Sequence, residues 1–280
     1  MNVSIQDTYY LVWKLAAVIT EGVDPSIIET YDTERRPVAV NLMKLDSQLV
    51  DAHEQKESST TSNGIDDVRE RYAGFMAGVD MTYSHNILVP ELDIHSSQNL
   101  AQNIKQGMRL PSFPLVYQCD GTSTHLAQRL VNDGLWRLLV FSGDLRQPER
   151  IHALFLFAGK VSKHFQMKYT QAPRPCPTIK PLLIQSNPRA AVNMLDFPEM
   201  SHPFDELFGW DYWKVFASDG SGQAYKGYGI DKEDPGCLVL CRPDQHVAWI
   251  GNMQDVAGFY NYFSRFFTAG IDKRQLCYIP

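Results

Sequence analysis

The sequence predicts an α/β protein in which a helical arm precedes a domain built on a mixed β-sheet. Two observations support this fold class. Apolar residues recur at helical spacing near the start of the chain, and apolar segments typical of strands alternate with helical segments after residue 110. With 280 residues, of which 44% are hydrophobic, the chain can form one large domain or two ordinary ones.

Two long helices make up the predicted arm. Residues 4–20 have apolar side chains at helical spacing, and Gly22 is expected to end this first helix. The second helix is expected over residues 26–53, where Pro37 would kink or divide it. Residues 54–64 are polar and rich in Ser and Thr, so we expect a linker or an exposed loop after the arm.

The remainder of the chain predicts alternating helices and strands. Helices are expected at 66–81, 124–132, 148–165 and 256–267. Strands are expected at 115–118, 136–141, 181–185, 237–241 and 246–250. The last two strands are separated by Arg-Pro-Asp-Gln at 242–245, a composition typical of a tight turn. This order of elements is that of a thioredoxin-like domain with insertions. We therefore predict a helical arm at 1–55, a linker and helical connection at 56–105, and the thioredoxin-like domain at 106–280.

Composition excludes several classes of function. The net charge is −6 and there is no basic run, which argues against a nucleic-acid partner. No apolar stretch approaches the ~20 residues that a membrane span needs, and the first residues lack the positive charge of a signal peptide. The five cysteines are scattered and odd in number, so a disulfide framework is not expected. We expect a cytoplasmic location with no membrane partner.

Six segments resemble motifs of the FAD-dependent aromatic hydroxylases of the phenol 2-monooxygenase family. They are MNVSIQD at 1–7, LVWKL at 11–15, YDTERRPVA at 31–39, GMRLP at 107–111, AYKGYGID at 224–231 and LCRPDQHVAW at 240–249. The first three resemble the family's last FAD-contacting segment, and the other three resemble its thioredoxin-like C-terminal dimerisation domain. The chain therefore resembles the C-terminal half of such a hydroxylase, with the helical arm as the remnant of the FAD-binding domain.

The resemblance implies a cofactor and two residues that contact it. In the family, the helix that begins at the Met-Asn dipeptide points its N-terminus at the pyrimidine edge of FAD, where unpaired N–H groups favour the negative charge of the reduced flavin. Met1 and Asn2 occupy that position in this chain, either as cofactor-binding residues or as a vestige of that role. The implied activity is hydroxylation of an aromatic ring, with NADPH as reductant and a phenolic small molecule as substrate.

Other parts of an FAD site are not recognised in the sequence. The family places a G-x-G-x-x-G turn after its first strand to admit the pyrophosphate. Gly220-Ser-Gly222 and Gly227-Tyr-Gly229 lack the third glycine and are interpreted as loop glycines. We therefore expect this chain alone neither to hold FAD tightly nor to be active, and we predict no catalytic residue in it.

Other candidate residues are interpreted as structural. Glu34 and Arg35 lie beside Pro37 in an amphipathic helix, where a solvated or locally paired face is expected. Cys237 and Cys241 are four residues apart in a predicted strand, so they would share a face at roughly 13 Å, too far apart for a disulfide. The eight histidines form no H-x-H or H-E-x-x-H motif, and no metal site is predicted.

The sequence does not determine how two groups of apolar residues pack. Aromatic residues are dense at 204–216, which indicates either a satellite of the core or part of an interface. Five apolar residues of the first helix would lose the cover that the family's nucleotide-binding sheet provides, namely Leu11, Val12, Leu15, Val18 and Ile19. We expect the arm to repack on the C-terminal domain, to dock on another chain, or to fray.

Three functions remain open from the sequence. The first is an FAD-dependent monooxygenase homologue, acting in phenol breakdown or aromatic natural-product biosynthesis, truncated and not active alone. The second is a non-catalytic module that forms a homodimer or docks on a full-length relative. The third is one part of a split flavoenzyme, in which another polypeptide supplies the FAD fold.

Overall fold

The protein has a mixed α/β architecture, seen in a computed structural model that describes residues 2–58, 63–91, 100–162, 179–232 and 236–267. The helices are α1 (Asn2–Glu21), α2 (Ser26–Ser58), α3 (Asn63–Arg71), α4 (Ala73–Met76), α5 (Pro148–Val161), α6 (Gln223–Tyr228) and α7 (Val256–Phe263). The strands are β1 (Pro114–Tyr117), β2 (Ser123–His125), β3 (Trp136–Gly143), β4 (Ile179–Pro188), β5 (Phe204–Asp205), β6 (Gly209–Trp210), β7 (Val215–Ser218), β8 (Cys237–Cys241) and β9 (Val247–Asn252). This confirms the predicted fold class.

The arm consists of α1 and α2, as the apolar spacing predicts. Gly22, directly after α1, has a left-handed φ of 66°, which is typical of a residue that ends a helix. Pro37 lies inside α2 and does not divide it, because the helix continues to Ser58. The helix expected over 66–81 is instead the two short helices α3 and α4, which begin and end earlier than predicted.

A seven-stranded mixed sheet lies at the centre of the rest of the structure, in the order β2-β1-β7-β4-β3-β8-β9. β3 pairs in parallel with β4, and α5 connects the two strands. β8 pairs antiparallel with both β3 and β9, and α7 follows β9. A β-α-β unit beside a β-β-α unit in this order is the thioredoxin-like core that the sequence predicts, and the predicted tight turn at 242–245 joins β8 to β9.

One predicted helix is wrong. The sequence predicts a helix over 124–132, but residues Ser123–His125 form β2 and only Leu126–Arg129 form a short 3-10 helix. β2 is held in the sheet by antiparallel pairing with β1, in which Thr124 lies opposite Leu115. Pairing between strands therefore overrides the local helical spacing. The sequence also gives no indication of β5, β6, β7 or α6, which are short elements.

Two apolar cores lie on opposite faces of the sheet, because side chains alternate along each strand. On β3, Trp136 and Leu138 face the core that α1, α5 and α7 cover, whereas Leu139 and Phe141 face the other core. Every residue of β3 is buried, as expected for a central strand covered on both faces. The ring of Trp13 in α1 meets Trp136 edge-on, with centroids 5.9 Å apart. The arm is therefore part of the first core.

A close backbone approach at Gly107 supports a prediction. Gly107 has a left-handed φ of 79°, and a Cβ atom at this position would lie 2.3 Å from the backbone oxygen of Tyr83. We expect Gly107→Ala to lower the free energy of unfolding by about 1–3 kcal/mol through backbone strain. The clash with the Tyr83 backbone oxygen should lower it further. Gly134 has a similar φ of 76° with open space around it, so Gly134→Ala is a matched control without the clash. Urea unfolding should show the larger loss for Gly107→Ala; equal losses would mean that the Tyr83 backbone moves away without cost.

Candidate functional site

The two residues that the resemblance assigns to FAD lie at the edge of the described structure. Met1 is outside the described residues, and Asn2 is the first residue of α1, with a side chain that is also outside them. Their contact with a flavin therefore stays a prediction. What the structure describes is how α1, the helix that follows these two residues, is held in place.

A buried network of charged side chains joins three of the segments that resemble the hydroxylase motifs. Lys14 Nζ in α1 donates to Glu34 Oε2 in α2 at 2.5 Å. The guanidinium of Arg242 donates to both oxygens of Glu34, at 2.6 and 2.9 Å. Arg242 also donates to Asp244, with Nε 3.0 Å from Oδ1 and Nη2 2.5 Å from Oδ2. All four side chains are fully shielded from solvent. We call Lys14, Glu34, Arg242 and Asp244 the buried ion network.

The turn between β8 and β9 places two members of this network close together. The N–H of Gln245 donates to the carbonyl of Arg242 at 3.0 Å, and Pro243 occupies the second position of the turn, where its fixed φ is favourable. Gln245 has a left-handed φ of 69°. Its side-chain amide donates to Leu130 O at 2.8 Å and accepts from Arg109 Nη2 at 2.9 Å, which fixes this unusual conformation. The turn therefore presents Arg242 and Asp244 together toward the arm.

Aromatic side chains surround the network and complete its hydrogen bonding. Trp13 Nε1 donates to Asp244 Oδ2 at 2.8 Å. His246 Nδ1 lies 3.1 Å from the backbone oxygen of Asp244, and its ring stacks on Tyr83 with centroids 4.2 Å apart. The guanidinium of Arg242 lies 5.4 Å from the ring centroids of both Trp13 and Tyr83. These contacts tie α1 and residue 83 to the β8–β9 turn.

The charges in the network are balanced at neutral pH. Burial by itself would raise the pKa of both carboxyl groups, but Arg242 outweighs it and holds the pKa of Glu34 and of Asp244 below the ordinary value. Burial and the neighbouring Arg242 lower the pKa of Lys14 to about 8, against the opposing effect of Glu34. Burial also lowers the pKa of His246, which favours the neutral imidazole. Two cations therefore face two carboxylates.

The lowered pKa values predict how stability changes with acid. Because the folded-state pKa values of Glu34 and Asp244 lie below those of the unfolded chain, the unfolded chain takes up more protons as the pH falls. His246 has the same effect, since its lowered pKa makes the unfolded chain bind the proton first. We expect the free energy of unfolding to begin to fall below about pH 7, because of His246, and to fall more steeply below about pH 5, because of the two carboxyl groups, by up to about 1.4 kcal/mol per pH unit for each extra proton that the unfolded chain binds. Urea unfolding at a series of pH values from 7 downward measures this change in the free energy of unfolding.

The variant Asp32→Asn provides the control for this pH dependence. Asp32 lies on the same helix as Glu34 but forms an exposed pair with Arg36, at 2.8 Å. Removing its charge should leave the acid slope nearly unchanged, because exposed pairs contribute little to stability. A wild-type stability that stays constant down to pH 4 would contradict the proposed role of the buried carboxylates.

The interpretation of Glu34 and Arg35 as a solvated or locally paired face is wrong. Their exposed fractions are 1% and 4%. Arg35 Nε donates to Asp7 Oδ1 in α1 at 2.7 Å, and its guanidinium lies 4.7 Å from the ring centroid of Tyr10. Both residues therefore pair with other elements and not with their own helix. Helical spacing cannot reveal this, because Arg242 is 208 residues from Glu34 in the chain.

The carboxylate groups of the network are fully paired. Each carboxylate oxygen of Glu34 and Asp244 accepts a charge-assisted hydrogen bond from Arg242. Nothing in this arrangement leaves a carboxylate open to a substrate. Within the described ranges, no group of three or more His, Cys, Asp or Glu side chains is arranged to hold a metal ion. The arrangement instead holds the arm against the sheet.

The glycine pairs considered for nucleotide binding have a different role. Gly222 and Gly229 both have left-handed φ values, of 65° and 67°, and stand immediately before and after α6. They are caps of a six-residue helix, and α6 does not follow a strand through a G-x-G-x-x-G turn. Gly227 lies inside α6, so its interpretation as a loop glycine is wrong. In contrast, α1 is a helix of 20 residues whose first turn has N–H groups without helical partners, which fits the negative edge of a reduced flavin. The described residues therefore fit a contact between the start of α1 and the pyrimidine edge of FAD. They do not include the glycine-rich turn that would bind the pyrophosphate of FAD.

The two cysteines of β8 are packing residues. Cys237 lies opposite Phe141 and Cys241 opposite Arg137 in the pairing with β3, and both sulfur-bearing side chains belong to the same core. This confirms that they share a face. Burial raises the pKa of the Cys241 thiol to about 12, which opposes a nucleophilic role.

The two apolar features that the sequence left open are resolved differently. The arm is packed on the sheet through residues such as Trp13, yet its other face, which includes Val12, Leu15 and Ile19, is exposed. In the dense aromatic segment, Phe208 and Trp210 are exposed as well, which favours an interface over a satellite of the core.

No helix in the described part of the chain has the length and apolar character needed to cross a membrane.

Comparison with known proteins gives two family matches. The profile of "Phenol hydroxylase, C-terminal dimerisation domain" matches residues 81–270, and that of "FAD binding domain" matches residues 1–46. A phenol 2-monooxygenase of Aspergillus fumigatus is 32% identical over 94% of this chain and 44% of its own length. A 3-hydroxybenzoate 4-monooxygenase of Comamonas testosteroni is 32% identical over 96% of this chain and 44% of its own length. The chain therefore spans less than half the length of these relatives.

A solved structure supports the fold. The flavin-dependent monooxygenase PieE, solved in complex with FAD and substrate, superimposes with a TM-score of 0.50 at 15% identity. The match covers 94% of this chain and 44% of that one. At this level of identity the likeness concerns the fold alone.

Proposed function

This chain belongs to the phenol hydroxylase family that has the C-terminal dimerisation domain. On that premise, we propose that it is the C-terminal part of an FAD-dependent aromatic monooxygenase. FAD is the cofactor of this family. The observation that carries the proposal is the buried ion network. Lys14 and Glu34 lie in the segment matched by the FAD-binding domain, whereas Arg242 and Asp244 lie in the segment matched by the dimerisation domain. The network joins the two matched segments into one structural unit.

In this function, the network determines where α1 points. Trp13 and Lys14 are bound to Asp244 and Glu34, so α1 cannot rotate without breaking buried charge-assisted bonds. Its N-terminus, with Met1 and Asn2, would then hold its N–H groups toward the pyrimidine edge of the flavin. FAD, when bound, supplies the oxygen-activating chemistry of the reaction. The residues of this chain orient α1, which forms one side of the FAD site.

The aromatic substrate and NADPH belong, in this proposal, to the complete enzyme. Both carboxylates of the buried ion network are paired with Arg242, and α6 is capped by glycines instead of preceded by a nucleotide-binding turn. This chain alone is therefore proposed not to retain FAD and not to hydroxylate. The arm at 1–55 contributes to the flavin site, and the domain at 106–280 contributes the sheet that holds the arm.

A second role is dimerisation. The family match at 81–270 is to a dimerisation domain, and aromatic side chains are exposed within it. We therefore propose that the chain forms a homodimer. If catalysis has been lost, the same surfaces would make it a non-catalytic module that docks on a full-length relative.

A chimera tests the proposed function. The chain would replace the aligned 44% of the Aspergillus fumigatus phenol 2-monooxygenase. We expect the chimera, but not this chain alone, to keep the visible flavin bands after incubation with FAD and desalting, and to oxidise NADPH when phenol is added. The intact relative is the positive control, and far-UV circular dichroism verifies folding.

Two results would contradict the proposal. A folded chimera without flavin would favour the non-catalytic module, because the chain would then lack the contacts that the flavin site requires. Retention of flavin by this chain alone would show that its residues hold a complete site, which the geometry around α1 does not provide.

A further inference from the structure

The first part of the aromatic-rich stretch at 204–216 forms a hairpin. β5 and β6 pair antiparallel, with Phe204 opposite Trp210 and Asp205 opposite Gly209. The hairpin belongs to the connection between β4 and β7, two parallel neighbours in the sheet, so it lies outside the sheet itself. We call residues 204–213 the aromatic hairpin.

The aromatic hairpin exposes a large apolar surface. The exposed fractions are 45% for Phe204, 85% for Phe208, 49% for Trp210 and 45% for Trp213, and Leu207 is 79% exposed. At about 200 Å² for each aromatic side chain, the four rings expose roughly 450 Å² before Leu207 is counted. This reaches the size of the largest apolar patches on typical monomers, which are often interaction sites.

Three rings of the aromatic hairpin contact one another. Phe204 and Trp210 are a cross-strand pair with ring centroids 5.2 Å apart, and Trp210 stacks on Tyr212 at 6.3 Å. Trp213 packs edge-on against Tyr117 of β1 at 5.0 Å, which anchors the end of the hairpin to the sheet. These ring contacts favour a fixed arrangement of Phe204, Trp210 and Tyr212 in the free chain.

The turn of the hairpin is preorganised. Asp205 Oδ1 accepts hydrogen bonds from the N–H groups of Leu207 and Phe208, at 2.8 and 3.0 Å. Gly209 closes the three-residue loop with a left-handed φ of 78°, as three-residue hairpins require. Leu207 and Phe208 are therefore held outward at the tip. A rigid presentation of this kind lowers the entropy that binding costs.

We propose that the aromatic hairpin forms the interface between two copies of this chain, related by a two-fold axis. This inference rests on the homodimer of the proposed function and assigns it to one surface. In a two-fold interface the same patch is buried on both chains, so the four rings and Leu207 account for about 1,000 Å² in total. That area reaches the lower limit for a specific interface. Aromatic side chains are also the residues that contribute most to such contacts.

Sedimentation equilibrium over a range of concentrations tests the proposal. We expect the wild-type chain to have the mass of two chains, and both Phe208→Glu and Leu207→Glu to raise the dimer dissociation constant at least about tenfold. These side chains are exposed at the tip, so the variants should keep the wild-type circular dichroism spectrum. Phe155→Glu is the matched control, because Phe155 is an aromatic residue that is 46% exposed and lies on α5, outside the hairpin; its dissociation constant should stay within about twofold.

The possible results distinguish the homodimer itself from its assignment to the aromatic hairpin. A wild-type chain that is monomeric at every concentration would overturn the homodimer itself. A dimer that withstands Phe208→Glu and Leu207→Glu, or that dissociates with Phe155→Glu instead, would leave the homodimer intact and overturn its assignment to the aromatic hairpin.

Discussion

Replacing Glu34 by glutamine is expected to lower the free energy of unfolding by about 3–5 kcal/mol. Glutamine has nearly the same size, so the change removes a charge and little volume. Lys14 would then lose the carboxylate to which it donates, and Arg242 would keep only Asp244. An excess positive charge would remain in a region that solvent does not reach, where desolvation is not offset. Urea unfolding at neutral pH measures the loss.

Two further variants separate the buried charge from general damage to the helix. Asp32→Asn removes an exposed charge two positions earlier in α2 and should cost about 0.5 kcal/mol or less. Adding Lys14→Met to Glu34→Gln removes the unpaired cation, so the double variant should recover at least about 1 kcal/mol relative to Glu34→Gln. If Glu34→Gln and Asp32→Asn cost the same, the network does not stabilise the arm.

Replacing Trp136 by alanine is expected to cost about 3–5 kcal/mol, the range for a large aromatic side chain removed from a core. Trp136 is buried on β3 and contacts the rings of Trp13, Phe263 and Phe266, with centroids 5.9, 5.2 and 5.9 Å away. The change would therefore open a cavity between the sheet, the arm and the end of α7 with the residues that follow it. Thermal and urea unfolding should both report the loss.

The control for this prediction is another aromatic residue on the same domain. Phe155 is about half exposed on α5, so Phe155→Ala should cost about 1 kcal/mol or less. Trp136→Phe, which keeps a ring in the site, should lose less than Trp136→Ala. A Trp136→Ala variant as stable as Phe155→Ala would mean that the arm does not pack on the sheet in solution.

The parts of the fold that the sequence predicts are those with strong local patterns. β8 is a continuous apolar run, β3 contains one at 138–141, and α5 begins at Pro148, a residue favoured at the first turn of a helix. The short elements escape prediction, because two residues, as in β5, have no period to detect. The helix predicted over 124–132 is wrong because pairing with β1 decides that segment.

The buried ion network shows what local patterns cannot predict. Glu34 and Arg242 both belong to segments that resemble the hydroxylase motifs, but nothing in either segment indicates that the two residues meet. One signal is present in the sequence. Lys14 interrupts the apolar run of α1 at a position that helical spacing places near buried residues such as Trp13 and Ala17. A charged residue at such a position requires a buried partner.

Amide hydrogen exchange of α1 is the most direct test of the central claim, that the buried ion network joins the arm to the thioredoxin-like domain as one unit. We predict that the amides of residues 9–18 exchange nearly as slowly as those of β8 in the wild-type chain, because both would open together. In Glu34→Gln, residues 9–18 should exchange at least about tenfold faster, while β8 changes less. Rapid exchange of residues 9–18 in the wild-type chain, or no change in Glu34→Gln, would contradict the claim.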